Sequence, residues 1–386
     1  MMETAWPKNS KTTRYGSGSR AAAGDLKRKA ILAVSFGTSY RKTRDAAIGA
    51  IESDLQAAYP DYTVRRAFTS RMILKKLRER DGLQIDTVAE ALERLAAENV
   101  GTLVIQPTHV MNGIEYDRMM AAAAPYLDRF TAVSFGAPLL NSAADYDAVA
   151  EALIAELAPA DDTALVLMGH GTEHFADSAY AALDYRFKAM GYPNVFVGTV
   201  EGYPLLEHVL AGIRAGGYRK ALLAPLMVVA GDHAVNDMAG GGPDSWKNQL
   251  LRAGCQVQCV LRGMGEYKSI RALYTAHAGA AIAALAGADL LVILSDIDGL
   301  YDDNPRTNPN ANLLHEVARI TPEIEACAAG AGSARGTGGM VTKIHAAQIA
   351  VQNGIGMVIM NGASPKKLYD LFEGRDVGTY FPASRK

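Results

Sequence analysis

LVLMGHGTEHFADSAYAALDYRFKAMGYPNVFVGTVEGY, residues 165–203, decides the fold. It reads as strand, loop, helix and strand, with His170 directly after the first apolar run and Glu201 directly after the second. In an open α/β sheet, ligands collect beyond the carboxyl ends of the strands, so a polar residue closing a buried apolar run is aimed at a pocket. A third such residue follows in LLAPLMVVAGDHAVNDM (222–238), where the apolar run ends in Gly231, Asp232 and His233. The three positions lie about thirty residues apart, roughly the length of one strand–helix unit. Adjacent strands therefore bring an imidazole, a carboxylate and an imidazole to one sheet edge.

Outward from this stretch the same alternation covers most of the chain. AILAVSFGT (30–38) reads as a buried strand, and residues 42–59 carry Ala46, Ala47, Ala50, Ile51, Leu55 and Ala58 on one helical face. RRAFTSRMILKKLRER and IDTVAEALERLAAEN extend the helical pattern, and TLVIQPTHV (102–110) supplies the next strand. Strands alternating with helices predict a mostly parallel sheet. The chain also resembles itself. AILAVSFGT aligns with ALVLMGHGT (164–172), setting Phe36 opposite His170, and QPTHVMNGIEYDRM (106–119) aligns with APLMVVAGDHAVNDM (224–238), setting Glu115 opposite His233. The expected fold class is α/β, with two similar parallel-sheet lobes around a cleft. Metal chemistry belongs to the second lobe, while Glu115 and His109 of the first supply shape and substrate contacts.

Composition narrows the function. The chain has 386 residues, 49% hydrophobic and 21% charged, with a net charge of −2, which argues against nucleic acid as a partner. Cys255, Cys259 and Cys327 form no CxxC pair, so neither a disulfide framework nor a thiolate metal site is expected. No apolar run reaches the ~20 residues of a membrane span. The first residues lack the apolar core of a secretory signal. A cytoplasmic protein with no membrane partner is the default, residues 1–27 read as a flexible tail, and self-association into a homo-oligomer is left open. The expected units are the tail, a two-lobed unit at 28–282 and a different segment at 283–386.

Imidazole and carboxylate suit ions of the Co²⁺ or Ni²⁺ type. Taken singly, GHGT reads as a strand-to-helix turn, VEGYP as an ordinary loop and GDH as a helix cap. Three such groups at successive strand ends favour a site at His170, Glu201 and His233. The chain shows no HExxH, no GxSxG elbow and no Walker loop, so zinc proteolysis, acyl transfer and P-loop chemistry are unsupported. Beyond the closing helix expected at 261–286 the chain changes character. ADLLVILSDIDGLYDDNP (288–305) is a strand and an acidic loop. AGAGSARGTGGMVTKIHAAQIAVQNG (329–354) is a glycine-rich loop opening a helix, which on general grounds reads as a phosphate cradle or a tight turn.

SFGTSY (35–40), PTHVMNGIEYD (107–117), MGHGTEHFADSAYAALD (168–184), GTVEGYP (198–204) and PLMVVAGDHAVNDMAG (225–240) resemble the anaerobic sirohydrochlorin cobaltochelatases of cobalamin synthesis. The resemblance implies a lyase-class chelatase whose two lobes hold a planar tetrapyrrole, sirohydrochlorin, and insert Co²⁺ without nucleotide. It implies that His170, Glu201 and His233 bind the incoming metal and help remove the pyrrole protons, and that His109 matches a histidine near the cleft.

SDIDGLYDDNPRTNPNANL, GAGSARGTGGMVTKIHAAQIA and GMVIMNG resemble the second half of the amino-acid kinase domain of glutamate 5-kinases. That resemblance implies ATP contacts at Asp296, Asp298, Gly336, Gly338, Gly339 and Lys343, as a vestigial loop. The first half of that kinase has no counterpart here, so a partial α/β segment without glutamate kinase activity is expected, with a bare apolar face where its missing half would pack. Two competing functions are a metal- or tetrapyrrole-binding module with a nucleotide-sensing appendage, and a kinase half completed in trans by another chain.

Overall fold

The computed structural model describes residues 24–330, 340–352, 354–364 and 366–383. Four parallel strands, β1 (Asp25–Ser35), β2 (Thr63–Phe68), β3 (Val100–Pro107) and β4 (Ala132–Phe135), form the first lobe in the order β2-β1-β3-β4. The second lobe repeats the plan. β5 (Thr163–Gly169), β6 (Val195–Thr199), β7 (Lys220–Pro225) and β8 (Gln256–Cys259) run parallel in the order β6-β5-β7-β8. The internal likeness in the sequence is thus a likeness of topology. β1 and β5 are the inner strands, and Ala30–Val34 and Ala164–Met168 are fully buried because helices cover both sheet faces.

Phe36 and His170 occupy matching turns. Gly37 and Gly171, one residue later, both take positive φ, +101° and +87°. A Cβ at Gly37 would lie 2.5 Å from the Phe68 ring, and one at Gly171 would lie 2.3 Å from the Gly202 nitrogen. Each turn needs glycine for its conformation and for the close approach of the neighbouring strand end.

Two helices join the lobes. Ala143–Leu157, between β4 and β5, begins with a reciprocal capping box between Ser142 and Asp145. The closing helix Lys268–Leu285 then returns across the first lobe. Tyr274 donates its hydroxyl to the Thr108 carbonyl at 2.9 Å, and Arg271 meets Asp54 at 2.6 Å. One core runs beneath both lobes, with Ile31 and Val104 from the first, Leu165 and Val197 from the second, and Tyr267 and Tyr274 from the closing segment. Truncating Tyr274 to alanine would cost about 3–5 kcal/mol for a ring this size. The outer sheet faces have their own clusters.

Three sequence expectations change. Thr63–Phe68 is an edge strand rather than part of a helix. Arg65 and Arg66 bury their stems on the strand and pair at the rim with Glu98 and Glu52, which hides the alternation. The run ending at Gly231 is strand only to Pro225. Pro225 has no N–H to extend the ladder, and the Met227 and Val228 carbonyls instead accept the Met264 and Gly265 amides at 2.8 and 2.9 Å. β1 starts at Asp25, inside the stretch expected as tail, where it lies against the Gly101 backbone and the Leu26 carbonyl accepts Thr102 Oγ1 at 2.9 Å. The rest of that tail, 1–23, lies outside the described residues.

The closing helix stops at Leu285 and the chain turns at Gly287, φ +58°. β9 (Leu290–Ser295) pairs parallel with β10 (Gly356–Asn361), which pairs antiparallel with β11 (Thr379–Phe381). The half-domain borrows part of its cover. The helix Met340–Gln352 buries Ile344 and Ala347 in a core that reaches Ala283 of the closing helix. Cover is incomplete, since a cavity of about 700 Å³ separates Leu291–Ile293 from Ala272, Ala276 and Gly279. Among the described residues no helix is long and apolar enough to cross a membrane, and all three cysteines are free.

Candidate metal-handling site

β5 ends at Gly169 and hands on to His170, and β6 ends at Thr199, two residues before Glu201. The loops are locked together by backbone, since the Glu201 amide donates to the His170 carbonyl at 2.9 Å. Asp177 ties them a second time. Its two carboxylate oxygens accept the Thr172 amide at 2.9 Å and the Tyr203 amide at 2.7 Å. A Cβ at Gly202 would fall 2.2 Å from that carboxylate, so glycine there permits the clasp.

His233 arrives from the third direction, heading a π-helical turn, Ala234–Met238. Such a turn within a helix is often found at functional positions. Its ring stands edge-on to that of His170, with centroids 4.6 Å apart at 88°. Glu201 Oε2 lies 4.0 Å from His170 Nδ1. The structure therefore gathers the three residues that the sequence singles out at one sheet edge. The His170 side chain is 45% exposed and that of Glu201 61%, so the group opens to solvent.

Both imidazoles are oriented by their inner nitrogens. His170 Nδ1 lies 2.8 Å from the Gly171 carbonyl, which only accepts, so the proton sits on Nδ1 and the Nε2 lone pair is free. His233 Nδ1 lies 2.6 Å from Asp237 Oδ2, one helical turn further on. A carboxylate behind a histidine fixes its tautomer and raises its basicity toward a metal, the usual support of a metal-binding imidazole. Asp232, beside it, accepts from Tyr40 Oη at 3.0 Å, so the first lobe touches the rim of the site.

The first lobe answers differently. Phe36, opposite His170, is an exposed ring. Glu115, opposite His233, is held by Thr69 Oγ1 at 2.7 Å and by Arg118. His109 is buried, with both ring nitrogens lacking a hydrogen-bond partner among the described residues. Burial pushes its pKa down to about 4, which keeps the ring neutral. His174 of the second lobe reaches across to Asp117 at 3.2 Å.

Of the positions that the kinase resemblance implies, Gly336, Gly338 and Gly339 lie outside the described residues. Asp298 accepts from Asn361 Nδ2 at 3.0 Å and Asp296 lies 3.6 Å from Arg306. Burial lowers the Lys343 pKa, with Asp296 nearby opposing that shift. Sequence reasoning missed Asp177 and Asp237. A carboxylate four residues after His233 in GDHAVND was the available signal for Asp237. Nothing in the pattern marks Asp177, whose role comes from two loops meeting.

The chain is 44% identical over 251 residues to the sirohydrochlorin cobaltochelatase of Salmonella typhimurium, covering 65% of this chain and 95% of that one. It is 36% identical over 265 residues to sirohydrochlorin cobaltochelatase CbiKC of Nitratidesulfovibrio vulgaris, covering 67% and 93%. The amino acid kinase family model matches residues 250–361. Glutamate 5-kinase of Clostridium perfringens is 57% identical over 106 residues, which is 28% of this chain and 39% of the kinase, so the chain spans about two fifths of that relative's length. The two matches overlap over residues 250–283, where β8 pairs with β7 of the second lobe and the closing helix packs on the first. The cobalt chelatase (CbiK) model covers residues 29–283, and with that match the chain belongs to the cobalt chelatase family.

Proposed function

We propose that this chain inserts Co²⁺ into sirohydrochlorin in anaerobic cobalamin biosynthesis, using no nucleotide. The observation that carries this reading is the pair of imidazoles, 4.6 Å apart, each with its Nδ1 engaged and its Nε2 lone pair available, in a member of the cobalt chelatase family. Insertion exchanges two pyrrole N–H protons for one divalent ion. The ion must be held by few ligands if it is to be handed over, and the departing protons need a base. His170 and His233 are the proposed ligands of the substrate metal, and an Nε2 lone pair vacated as the ion transfers is the proposed acceptor of the first pyrrole proton. Glu201 is the proposed further ligand or base, placed where it can pass protons to water.

Two units are proposed, a chelatase unit ending at about Ala286 and an appended segment from Gly287. Phosphoryl transfer needs both reactants held in line by a complete site. With about two fifths of the related kinase present, the segment is proposed to lack glutamate kinase activity. ADP release dependent on both ATP and glutamate would refute that.

The test of function is the absorbance change of sirohydrochlorin with Co²⁺ and the full chain without ATP. Insertion well above the uncatalysed rate is expected. A rate equal to the protein-free control, or one that appears only with ATP, would overturn the proposal.

A further inference from the structure

Three residues far apart in sequence meet in the interior where the appended segment docks. Asp145 stands on the helix joining the lobes, His277 on the closing helix, and His345 on the helix Met340–Gln352. Their side chains are 1%, 0% and 4% exposed. Asp145 Oδ1 lies 3.0 Å from His277 Nε2 and 2.7 Å from His345 Nε2, and the three donor atoms all fall within 4.8 Å of one another.

Two of the outer atoms of this group are already committed. Asp145 Oδ2 accepts the backbone amides of Asn141 at 3.0 Å and Ser142 at 2.6 Å. His277 Nδ1 lies 3.0 Å from the Ala137 carbonyl, an acceptor only, and so carries a proton. His277 Nε2 then faces Asp145 Oδ1 at 3.0 Å in the buried interior. That contact is completed either by a second proton on the ring or by a metal ion, and the convergence of a third buried donor atom from His345 favours the ion. An outer nitrogen on a backbone carbonyl and an outer oxygen on backbone amides, with the inner atoms converging, is how proteins support metal ligands.

We propose that Asp145, His277 and His345 form a structural site for a divalent transition metal of the Zn²⁺ type, clamping the appended segment onto the chelatase unit. Two imidazoles and one carboxylate suit such an ion, bound at about 2.0–2.2 Å in a tetrahedron whose fourth position is left for water. To admit it, the carboxylate oxygen moves away from each nitrogen by roughly half an ångström, the spread that a tetrahedron with such bonds requires. The site differs from the cleft in burial, and only this chain's combination of units completes it, since His345 comes from the appended segment. Neither unit alone holds the full ligand set.

The test is metal content of the full chain carrying His170→Ala and His233→Ala, which silence the cleft, after equilibration with Zn²⁺ and gel filtration. One equivalent of Zn²⁺ per chain is expected, with the intense visible absorption of four-coordinate Co²⁺ after exchange. Adding His345→Gln, which removes one of the three protein ligands, should weaken binding by at least about 100-fold, more than loss of a merely supporting contact costs. Adding His345→Cys instead should restore binding with a thiolate-to-cobalt band, which separates ligand loss from misfolding. A chain that retains no Zn²⁺, its His277 held as an imidazolium against Asp145, would overturn the proposal. Binding as tight in His345→Gln as in its parent would also do so.

Discussion

The two lobes share a strand order and a glycine turn, and differ in what stands on them. At the end of the inner strand the first lobe carries Phe36 and the second His170, before Gly37 and Gly171 in matching left-handed conformation. At the second matched position Glu115 is engaged by Thr69 and Arg118, whereas His233 is aimed by Asp237 with Nε2 free. The scaffold is common and the chemistry is not. A duplicated fold need keep a reactive group on only one copy, provided the other closes the cleft and supplies contacts such as Tyr40 to Asp232.

The largest effect expected from breaking this asymmetry is at His233. His233→Ala should lower the Co²⁺ insertion rate by about 100-fold or more, the scale on which a positioned acid–base group contributes. Glu115→Ala, its counterpart, should cost far less, and equal losses in steady-state assays would erase the distinction. Asp237→Asn keeps the shape and removes the charge behind His233. A loss of about 10–100-fold in Co²⁺ affinity or rate is expected, measured by titration, and an unchanged affinity would show that the hydrogen bond is incidental.

Gly171→Ala and Gly37→Ala probe what the lobes share. Each forces a side chain into a left-handed turn against a neighbour, so each should destabilise the chain by about 1–3 kcal/mol in urea unfolding. Only Gly171→Ala should also displace an imidazole and slow insertion. The smallest effect on rate is expected at His109, where the aligned second-lobe residue is Met227. Its pKa of about 4, held there by burial, means that the unfolded chain takes up a proton first as pH falls. The stability due to the neutral buried ring is thus complete above about pH 6.5 and lost progressively toward pH 4, an effect of about 3 kcal/mol at most. His109→Met should flatten that slope between pH 7.5 and 5 while leaving insertion at neutral pH nearly unchanged. A slope identical to wild type would contradict this.

Much of the fold was legible because β1, β3, β5 and β6 are buried on both faces and read as continuous apolar runs ended by small or polar residues. The other edge strands were harder. β2 hides its alternation behind arginine stems, and β4 and β8 are only four residues long. His170, Glu201 and His233 could be found because each follows a strand on a regular spacing. Asp177 could not, since its two partners lie on different loops. Asp145, His277 and His345, separated by 132 and 200 residues, meet only through the docking of an appended unit.

The most direct test of the claim that metal handling belongs to the second lobe makes each inner-strand turn lose its ring. Initial rates of Co²⁺ insertion into sirohydrochlorin would be compared for His170→Phe and Phe36→Ala, at one pH and without ATP. A loss of at least about 100-fold is expected for His170→Phe and of less than about tenfold for Phe36→Ala. Equal losses in the two variants, or the larger loss in Phe36→Ala, would contradict it.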